Sequence, residues 1–167
     1  PTQKAPILLD ISMSTTANGM VSRFQHQGQR LPGQWLLDNE GNASDNPADL
    51  YSDPPGSVLP LGGLDLGYKG FALGLLVEAL TGALGGYGRA DEPKRWGASV
   101  FLQIIDPAAF GGSEYFVRET EWLAEACRTT PTKPGKPSVR LPGNRALQLR
   151  SEQLKNGVAL YSGIMPA

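Results

Sequence analysis

The sequence is poor in the residues from which most catalytic and metal-binding sites are built. It has one cysteine, Cys127, and one histidine, His26, among 167 residues. These two residues can supply neither an internal disulfide, nor a Cys/His zinc cluster, nor a Ser-His-Asp set. The polar neighbours of His26 are typical of a surface histidine. We therefore expect no metal site, and the sequence identifies no catalytic residue within this chain.

An excess of charge of one sign and a long apolar run are missing as well. The net charge is −1, and prolines interrupt the one basic cluster, Lys133, Lys136 and Arg140, so nucleic-acid binding is not indicated. The most apolar stretch, residues 69–84, is too short for a membrane span and carries Glu78 at its middle. No signal peptide is visible, and a lone cysteine fits a reducing compartment, so we expect a cytoplasmic protein with no membrane partner.

Glycine and proline are abundant instead. The 21 glycines and 14 prolines are about a fifth of the chain, against roughly 12% in an average protein. Residues 25–67 combine them with Asn and Asp and show no sustained periodicity, so we expect a long irregular segment ordered against a partner surface or a ligand. The chain also lacks an initiating methionine and ends just after a strand-like run, which predicts a segment of a longer protein.

Apolar runs and helical periodicity alternate along the chain and predict the α/β class. The order of these elements leaves open whether the sheet is parallel. The predicted helix at its centre has apolar residues on nearly every side, so we expect it to be buried on most sides. We predict buried strands at residues 6–9, 98–105 and 158–161, and helices at residues 69–84, 114–128 (with Ser113 as N-cap) and 144–155.

Polar residues follow the first predicted strand in residues 10–15, DISMST. Ligands commonly bind at strand ends in α/β proteins, because the loops there can be shaped freely. Asp10 could accept hydrogen bonds from ribose hydroxyls, and Ser12 or Ser14 could donate to phosphate oxygens. The alternative is that these side chains only cap a turn.

Two further segments place glycine and a cation at the start of a predicted helix. In the first, Gly67-Tyr68-Lys69-Gly70, Lys69 lies where the helix dipole favours an anion, so either a bound phosphate neutralises it or the lysine is simply solvated. The second is the turn at residues 141–145, LPGNR, which is weak evidence alone. Neither the dinucleotide fingerprint GxGxxG nor the phosphate-binding GxxxxGK[ST] is present.

Taken in order, these segments resemble the type-2 malate/L-lactate dehydrogenase family. The set is DISMS, LPGQWLLDNEGNASDNP, LPLGG followed by GYKGFALGLLVEALTGALGG, LQIIDPAAF, LPGNR and NGVAL, and it covers essentially the whole chain. DISMS looks closest to the family's 2,3-diketo-L-gulonate reductases. The resemblance implies a non-Rossmann α/β fold whose mixed, largely antiparallel sheet is flanked by helices. It also implies NAD or NADP as cofactor, a homodimer, and one dinucleotide-binding domain over residues 1–167.

The resemblance also carries over the family's cofactor contacts, which coincide with the three polar segments. Asn144 departs from the charged or histidine residue often found after the Pro-Gly, and residues 64–66 resemble an insertion. The family's catalytic histidine and arginine are expected upstream of the first residue seen here. The implied cofactor-binding residues are Leu9, Asp10, Ile11, Ser12, Met13, Ser14, Thr15, Tyr68, Lys69, Pro142, Gly143 and Asn144.

Three classes of function follow. The first is an NAD(P)H-dependent oxidoreductase that interconverts a 2-oxo acid, or a cyclic imine acid, with the 2-hydroxy or amino acid. The second is a dinucleotide-binding module without catalysis of its own, completed by a partner chain. The third is a structural protein that has kept the fold and lost the site. The choice between NADH and NADPH stays open, because Arg23, Arg30, Arg89 and Arg145 are equal candidates for a 2′-phosphate.

Overall fold

The computed structural model describes residues 1–95 and 97–160, which fall into two compact units. The central unit comprises Ile11–Gln103. The terminal unit comprises Pro1–Asp10 together with the described residues from Ile104 onward. The terminal unit is therefore discontinuous in sequence, whereas the central unit is one uninterrupted segment.

A small sheet packed on one helix forms the core of the central unit. Helix α1 spans Asn18–His26, and strands β1 (Leu36–Leu37), β2 (Ala43–Ser44) and β3 (Ser57–Val58) form an antiparallel sheet in the order β2-β1-β3. The buried side chains of the core are Val21, Leu31 and Leu36, and Phe24, Trp35, Leu50 and Val58 pack around them. Burying a Val or Leu side chain contributes about 1.5–3 kcal/mol to the free energy of folding.

This sheet corrects the expectation for residues 25–67. The segment is ordered within its own unit, because β1 supplies a central strand that pairs with β2 on one side and β3 on the other. A 3₁₀ helix at Pro47–Tyr51 fills part of the remaining connection. Strands of two residues are too short to show an alternating pattern, which explains why the sequence did not predict them.

Helix α2 (Gly63–Glu78) confirms the predicted central helix and begins earlier than expected. It continues into a π-helical turn at Ala79–Ala83. Three glycines, Gly67, Gly70 and Gly74, form one side of the helix and lie against residues 13 and 60–61. At Gly70 the approach is between backbones: a Cβ there would overlap the Leu61 nitrogen and lie 2.7 Å from the Met13 carbonyl oxygen.

The prediction that α2 is buried on most sides is wrong for this chain. Gly70 is its one buried residue, and large side chains such as Leu64, Phe71 and Leu75 are 56–62% exposed. The helix is apolar all round, as predicted, but it packs on the central unit through a narrow glycine strip. Periodicity reports how apolar a helix surface is and does not report what covers it.

The terminal unit contains the two other predicted helices. Helix α3 spans Ser113–Thr129 and helix α4 spans Asn144–Asn156. Ser113 is the first helical residue rather than the cap, since Gly112 occupies the N-cap position. The first residues of the chain lie along α3, where the Gln3 amide donates to Glu121 and the Thr120 hydroxyl donates to the Pro1 carbonyl.

The predicted strands at residues 6–9 and 98–105 are not formed. Within the described residues, segment 98–105 makes no backbone hydrogen bond, and Val100, Leu102 and Ile104 are 79–86% exposed. Residues 158–160 of the third predicted strand are irregular, and Tyr161 lies outside the described residues. An apolar run becomes a strand only when another strand satisfies its amides, and the described part of the chain provides none.

A carboxylate organises the turn between β1 and β2. The Asp38 carboxylate accepts hydrogen bonds from the backbone amides of Glu40 and Asn42, at 2.9 and 2.8 Å, and from the Asn42 side chain. Gly41 completes the turn with a φ of 87°, which favours glycine. The hydrogen bonds from Asn42 lower the pKa of Asp38 below its ordinary value of 3.8.

The glycine strip of α2 can be tested by adding single methyl groups. Gly70→Ala should destabilise the chain by about 1–3 kcal/mol, because the methyl group meets backbone atoms that cannot move aside. Gly74→Ala should instead stabilise it by about 0.5–1 kcal/mol, since only the Met13 sulfur lies within 4 Å, at 3.9 Å. Urea unfolding of both variants checks the prediction, and equal effects would contradict it.

The Asp38 turn predicts a pH-dependent contribution to stability. A carboxyl group with a lowered folded pKa stabilises above its unfolded pKa, and this contribution is lost as the pH falls through the folded value. Asp38→Asn should therefore reduce the free energy of unfolding at neutral pH, and the difference from wild type should shrink below pH 3.8. Urea titrations across this range measure it; a difference independent of pH would refute the assignment.

Candidate functional site

Residues 11–15 of the predicted polar segment (the polar loop) are held in the central unit by hydrogen bonds to the segment before α2. The Leu61 amide donates to the Met13 carbonyl and the Thr15 amide donates to the Leu59 carbonyl, both at 2.8 Å. The Thr15 hydroxyl also donates to the Leu59 and Pro60 carbonyls. These hydrogen bonds hold residues 13–15 in place. The Thr15 hydroxyl proton is used within them and is not available to a ligand.

The two serines of this loop differ in how available they are. Ser14 donates its hydroxyl proton to the Thr16 carbonyl at 2.7 Å, so in the 2.6 Å contact between the serine hydroxyls Ser12 is the donor. Ser12 is exposed, whereas Ser14 is half-buried. If the Ser12 hydroxyl proton turned toward a ligand, it would therefore lose only its exposed hydrogen bond to the Ser14 hydroxyl.

Lys69 is the residue before Gly70, whose backbone lies close to the Met13 carbonyl oxygen of this loop. Leu66 has a non-helical conformation (φ −125°, ψ 17°), so the regular part of α2 starts at Gly67 and Lys69 is within its first turn, as the sequence predicts. The Gly70 amide donates to the Leu61 carbonyl at 2.9 Å, so this amide is not available to an anion. The Lys69 ammonium lies 6.0 Å from the Tyr68 ring centre and, within the described ranges, forms no ion pair.

A groove in the central unit begins at Ser12 and runs along the glycine side of α2. Its volume is about 1,090 Å³, and most of its wall is apolar, with Met13, Phe71 and Leu75 contributing. Residues 86–91 form its far wall. The groove is large enough for a small organic ligand and has polar groups at both ends.

The polar group at the far end is an ion pair that the sequence did not single out. Glu78, near the end of α2, accepts a hydrogen bond of 2.6 Å from Arg89, and this hydrogen bond lowers the pKa of Glu78. Glu78 was considered in the sequence only as an argument against a membrane span. No local pattern in the sequence signals this pair, because Glu78 shares α2 with Asp65 and Arg89 lies eleven residues later, beyond the helix.

In the terminal unit, the predicted Pro-Gly turn lies against the first residues of the chain. The Leu8 amide donates to the Pro142 carbonyl at 3.2 Å, and a Cβ on Gly143 would lie 2.8 Å from the Leu8 Cβ. The Asn144 side chain accepts a hydrogen bond from the Leu141 amide, so its oxygen stabilises the turn. Leu9 and Asp10 follow Leu8 directly and are exposed.

The predicted cofactor-binding residues therefore form one group in each unit. In the central unit, Met13 lies against Gly70 in the first turn of α2, the turn that also carries Lys69. In the terminal unit, Leu9 and Asp10 follow the residue that contacts Gly143. His26 is exposed at the end of α1, as a surface histidine should be. Among residues 1–95 and 97–160, no cluster of His, Cys, Asp or Glu is suited to a metal ion, and no helix is long and apolar enough to cross a membrane.

Comparison with known proteins identifies close structural and sequence relatives. A malate/lactate dehydrogenase from E. coli superposes with a TM-score of 0.75 at 29% identity, covering 98% of this chain and 46% of that chain. Hydroxycarboxylate dehydrogenase B from Escherichia coli K12 is 33% identical over 95% of this chain and 44% of its own length. Delta(1)-pyrroline-2-carboxylate reductase from Ancylobacter novellus is 30% identical over 95% of this chain and 46% of its own length.

The chain thus spans less than half the length of these relatives. The sequence profile that describes malate/L-lactate dehydrogenases matches residues 1–166, which is nearly the whole chain. The order of motifs from DISMS to NGVAL gave the same resemblance. The chain belongs to the malate/L-lactate dehydrogenase family.

Proposed function

We propose that this chain binds the dinucleotide in an NAD(P)H-dependent oxidoreductase that interconverts a 2-oxo acid, or a cyclic imine acid, with the corresponding 2-hydroxy or amino acid. The observation that carries the proposal is the contact of Gly70 with Met13. This contact holds the backbone of the loop that carries Ser12 against the first turn of α2, the turn that carries Lys69. A hydroxyl donor and an ammonium group that both reach one phosphate would each bind its oxygens.

The residues of the central unit would hold the cofactor's phosphate groups. Lys69 supplies a positive charge without a carboxylate partner among the described residues, and Ser12 supplies a rotatable donor. Gly70 lets the loop backbone approach the helix closely, so that both side chains start from a fixed scaffold. When bound, the dinucleotide supplies the hydride, while the protein contributes orientation and charge.

The terminal unit carries the other residues for which the family resemblance implies cofactor contacts. Pro142 and Gly143 form a turn at the start of α4, whose first backbone amides carry partial positive charge. The Asn144 oxygen already accepts from Leu141, so its role is to shape the turn. Leu9 and Asp10 are exposed beside this turn, where Asp10 would accept hydrogen bonds from ribose hydroxyls.

The names of the relatives support the proposed substrate chemistry. One acts on hydroxycarboxylates and another on delta(1)-pyrroline-2-carboxylate, so a carboxylate next to the reacting carbon is the shared feature. We place the arginine that binds this carboxylate and the histidine that donates a proton upstream of Pro1 in a longer protein. The relatives are named as enzymes, which favours catalysis over a binding module completed by a partner chain.

The fold and assembly of that longer protein belong to the same proposal. We propose a non-Rossmann α/β fold with a mixed, largely antiparallel sheet, in which residues 1–167 are the dinucleotide-binding domain. Extended apolar segments such as residues 98–105 would pair with further strands of this sheet. We also propose a homodimer located in the cytoplasm.

Direct titration tests whether the site binds a dinucleotide. NADH and NADPH are added to the chain while energy transfer from tryptophan to the nicotinamide is followed. Saturable binding is expected, and Lys69→Ala should raise Kd about tenfold, because a hydrogen bond to a charged group contributes about 1.5–3 kcal/mol. Lys133→Ala, a change of another exposed lysine outside the three segments, is the matched control.

Two outcomes would count against the assignment. If neither dinucleotide binds to a chain that unfolds cooperatively, the proposed function fails for this chain. If binding is saturable and Lys69→Ala behaves like Lys133→Ala, the dinucleotide binds but the phosphates lie elsewhere.

A further inference from the structure

We propose that the Glu78–Arg89 pair selects NADH over NADPH by holding the hydroxyls of the adenosine ribose in the groove beside α2. The inference rests on the proposed function and adds to it a residue that decides which dinucleotide is used. Glu78 would be the acceptor for the ribose hydroxyls, and Arg89 would be the positioning residue that orients the Glu78 carboxylate.

The groove connects the proposed phosphate site to this ion pair. Ser12 and Ser14 line one end, and Glu78 and Arg89 line the other. Glu78 lies eight residues beyond Gly70 on the same helix, which corresponds to about 12 Å along the axis. A nucleotide whose phosphate lies near Ser12 and Lys69 would therefore extend along the groove toward Glu78.

The walls of the groove suit a nucleoside. Phe71 and Leu75 line it, and Tyr87 lines it as well. Tyr87 is 61% exposed, so its ring could stack on a base. An apolar groove with an aromatic ring and few polar groups is the usual environment of a bound base and sugar.

The loop that carries Arg89 is held against the helix. The Tyr87 amide donates to the Gly82 carbonyl at 3.2 Å, and the Asp91 carboxylate accepts from the Gly88 amide at 2.7 Å. The π-helical turn at Ala79–Ala83 directly follows Glu78. Arg89 is therefore presented to Glu78 by a loop with its own hydrogen bonds and does not depend on the ion pair for its position.

The Glu78 carboxylate has acceptor capacity left for a ligand. Arg89 occupies Oε1 at 2.6 Å, and a carboxylate offers about four acceptor positions over its two oxygens. The Glu78 side chain is 47% exposed, so Oε2 can be reached from the groove. A ribose with a free 2′-hydroxyl can donate to it, whereas a 2′-phosphate has no such donor and carries negative charge toward the carboxylate.

Arg89 also differs from the other described arginines of the central unit. Arg30 forms an ion pair with Asp45, and the Arg23 guanidinium lies 5.6 Å from the Phe24 ring centre. Neither of these, nor Arg95, lines the groove. Arg89 lines it paired with Glu78, and Asp91 also lines this end, so these three side chains carry a net charge of −1. An acceptor-rich end with this charge favours a diol over a phosphate.

The experiment compares the Kd of NADH and NADPH for wild type, Glu78→Gln and Glu119→Gln. Wild type should bind NADH more tightly than NADPH. Glu78→Gln should lower the ratio of the NADPH Kd to the NADH Kd about tenfold, because it removes both the charged acceptor and the repulsion of phosphate. Glu119, which pairs with Arg118 at 2.7 Å on α3, is an exposed Glu–Arg pair outside the groove, so its variant should leave the ratio unchanged.

Adding Arg89→Gln to the Glu78→Gln variant distinguishes a positioning role from direct binding of phosphate, because Arg89→Gln alone would leave the Glu78 carboxylate unpaired and repel a 2′-phosphate in either case. If Arg89 only orients Glu78, the double variant should bind NADPH as Glu78→Gln does. Selective loss of NADPH binding in the double variant, or tighter binding of NADPH than NADH by wild type, would overturn the proposal, as would an unchanged ratio in Glu78→Gln. Thermal unfolding of each variant confirms that it folds. If neither dinucleotide binds to folded wild type, the proposed function fails and this inference fails with it.

Discussion

The contact between Gly70 and the backbones of Leu61 and Met13 determines how the central unit is arranged. It brings three chain segments together at a distance that any side chain larger than a hydrogen would prevent. The Gly70 amide and the Met13 carbonyl also hydrogen-bond to Leu61, so the approach is attractive as well as close. Both ends of the groove depend on it, because it fixes Ser12 on one side and the axis of α2 on the other.

This arrangement explains why a very apolar helix keeps most of its large side chains exposed. Most large side chains of α2 point away from the glycine strip and remain exposed. Exposed apolar surface on this scale is characteristic of regions that other elements cover. The chain spans less than half the length of its relatives, and in the longer protein proposed above further chain would cover this surface.

The sequence predicted the helices of this fold well and the strands poorly. Helices α2, α3 and α4 were expected because backbone hydrogen bonds within a helix are local, so periodicity and caps report them directly. Strands at residues 6–9 and 98–105 were expected from apolar runs, but strands depend on neighbours that the run itself does not specify. Helix α1 and the short strands were missed because they are too brief to show a period.

The motifs of the sequence name candidate site residues, but they do not report how those residues pack. The family motifs gave Ser12, Lys69 and Gly143 as cofactor contacts, and these contacts stay predictions. The pairing of Glu78 with Arg89 depends on a loop that folds back onto a π-helical turn. No local sequence pattern predicts that the loop folds in this way. For Asn144, the motif suggested a ligand contact, whereas in the structure its side-chain oxygen accepts a hydrogen bond from the Leu141 amide.

The division of the chain into a continuous and a discontinuous unit has a consequence for how it folds. Every contact within the central unit can form once Gln103 has left the ribosome. The terminal unit must instead join residues far apart in sequence, such as Gln3 and Glu121, which are separated by 118 positions. Closing so long a loop costs entropy before any contact is gained, and it slows folding. During synthesis, the contacts between residues 1–10 and α3 can therefore form only after α3 has left the ribosome, when the central unit is already able to fold.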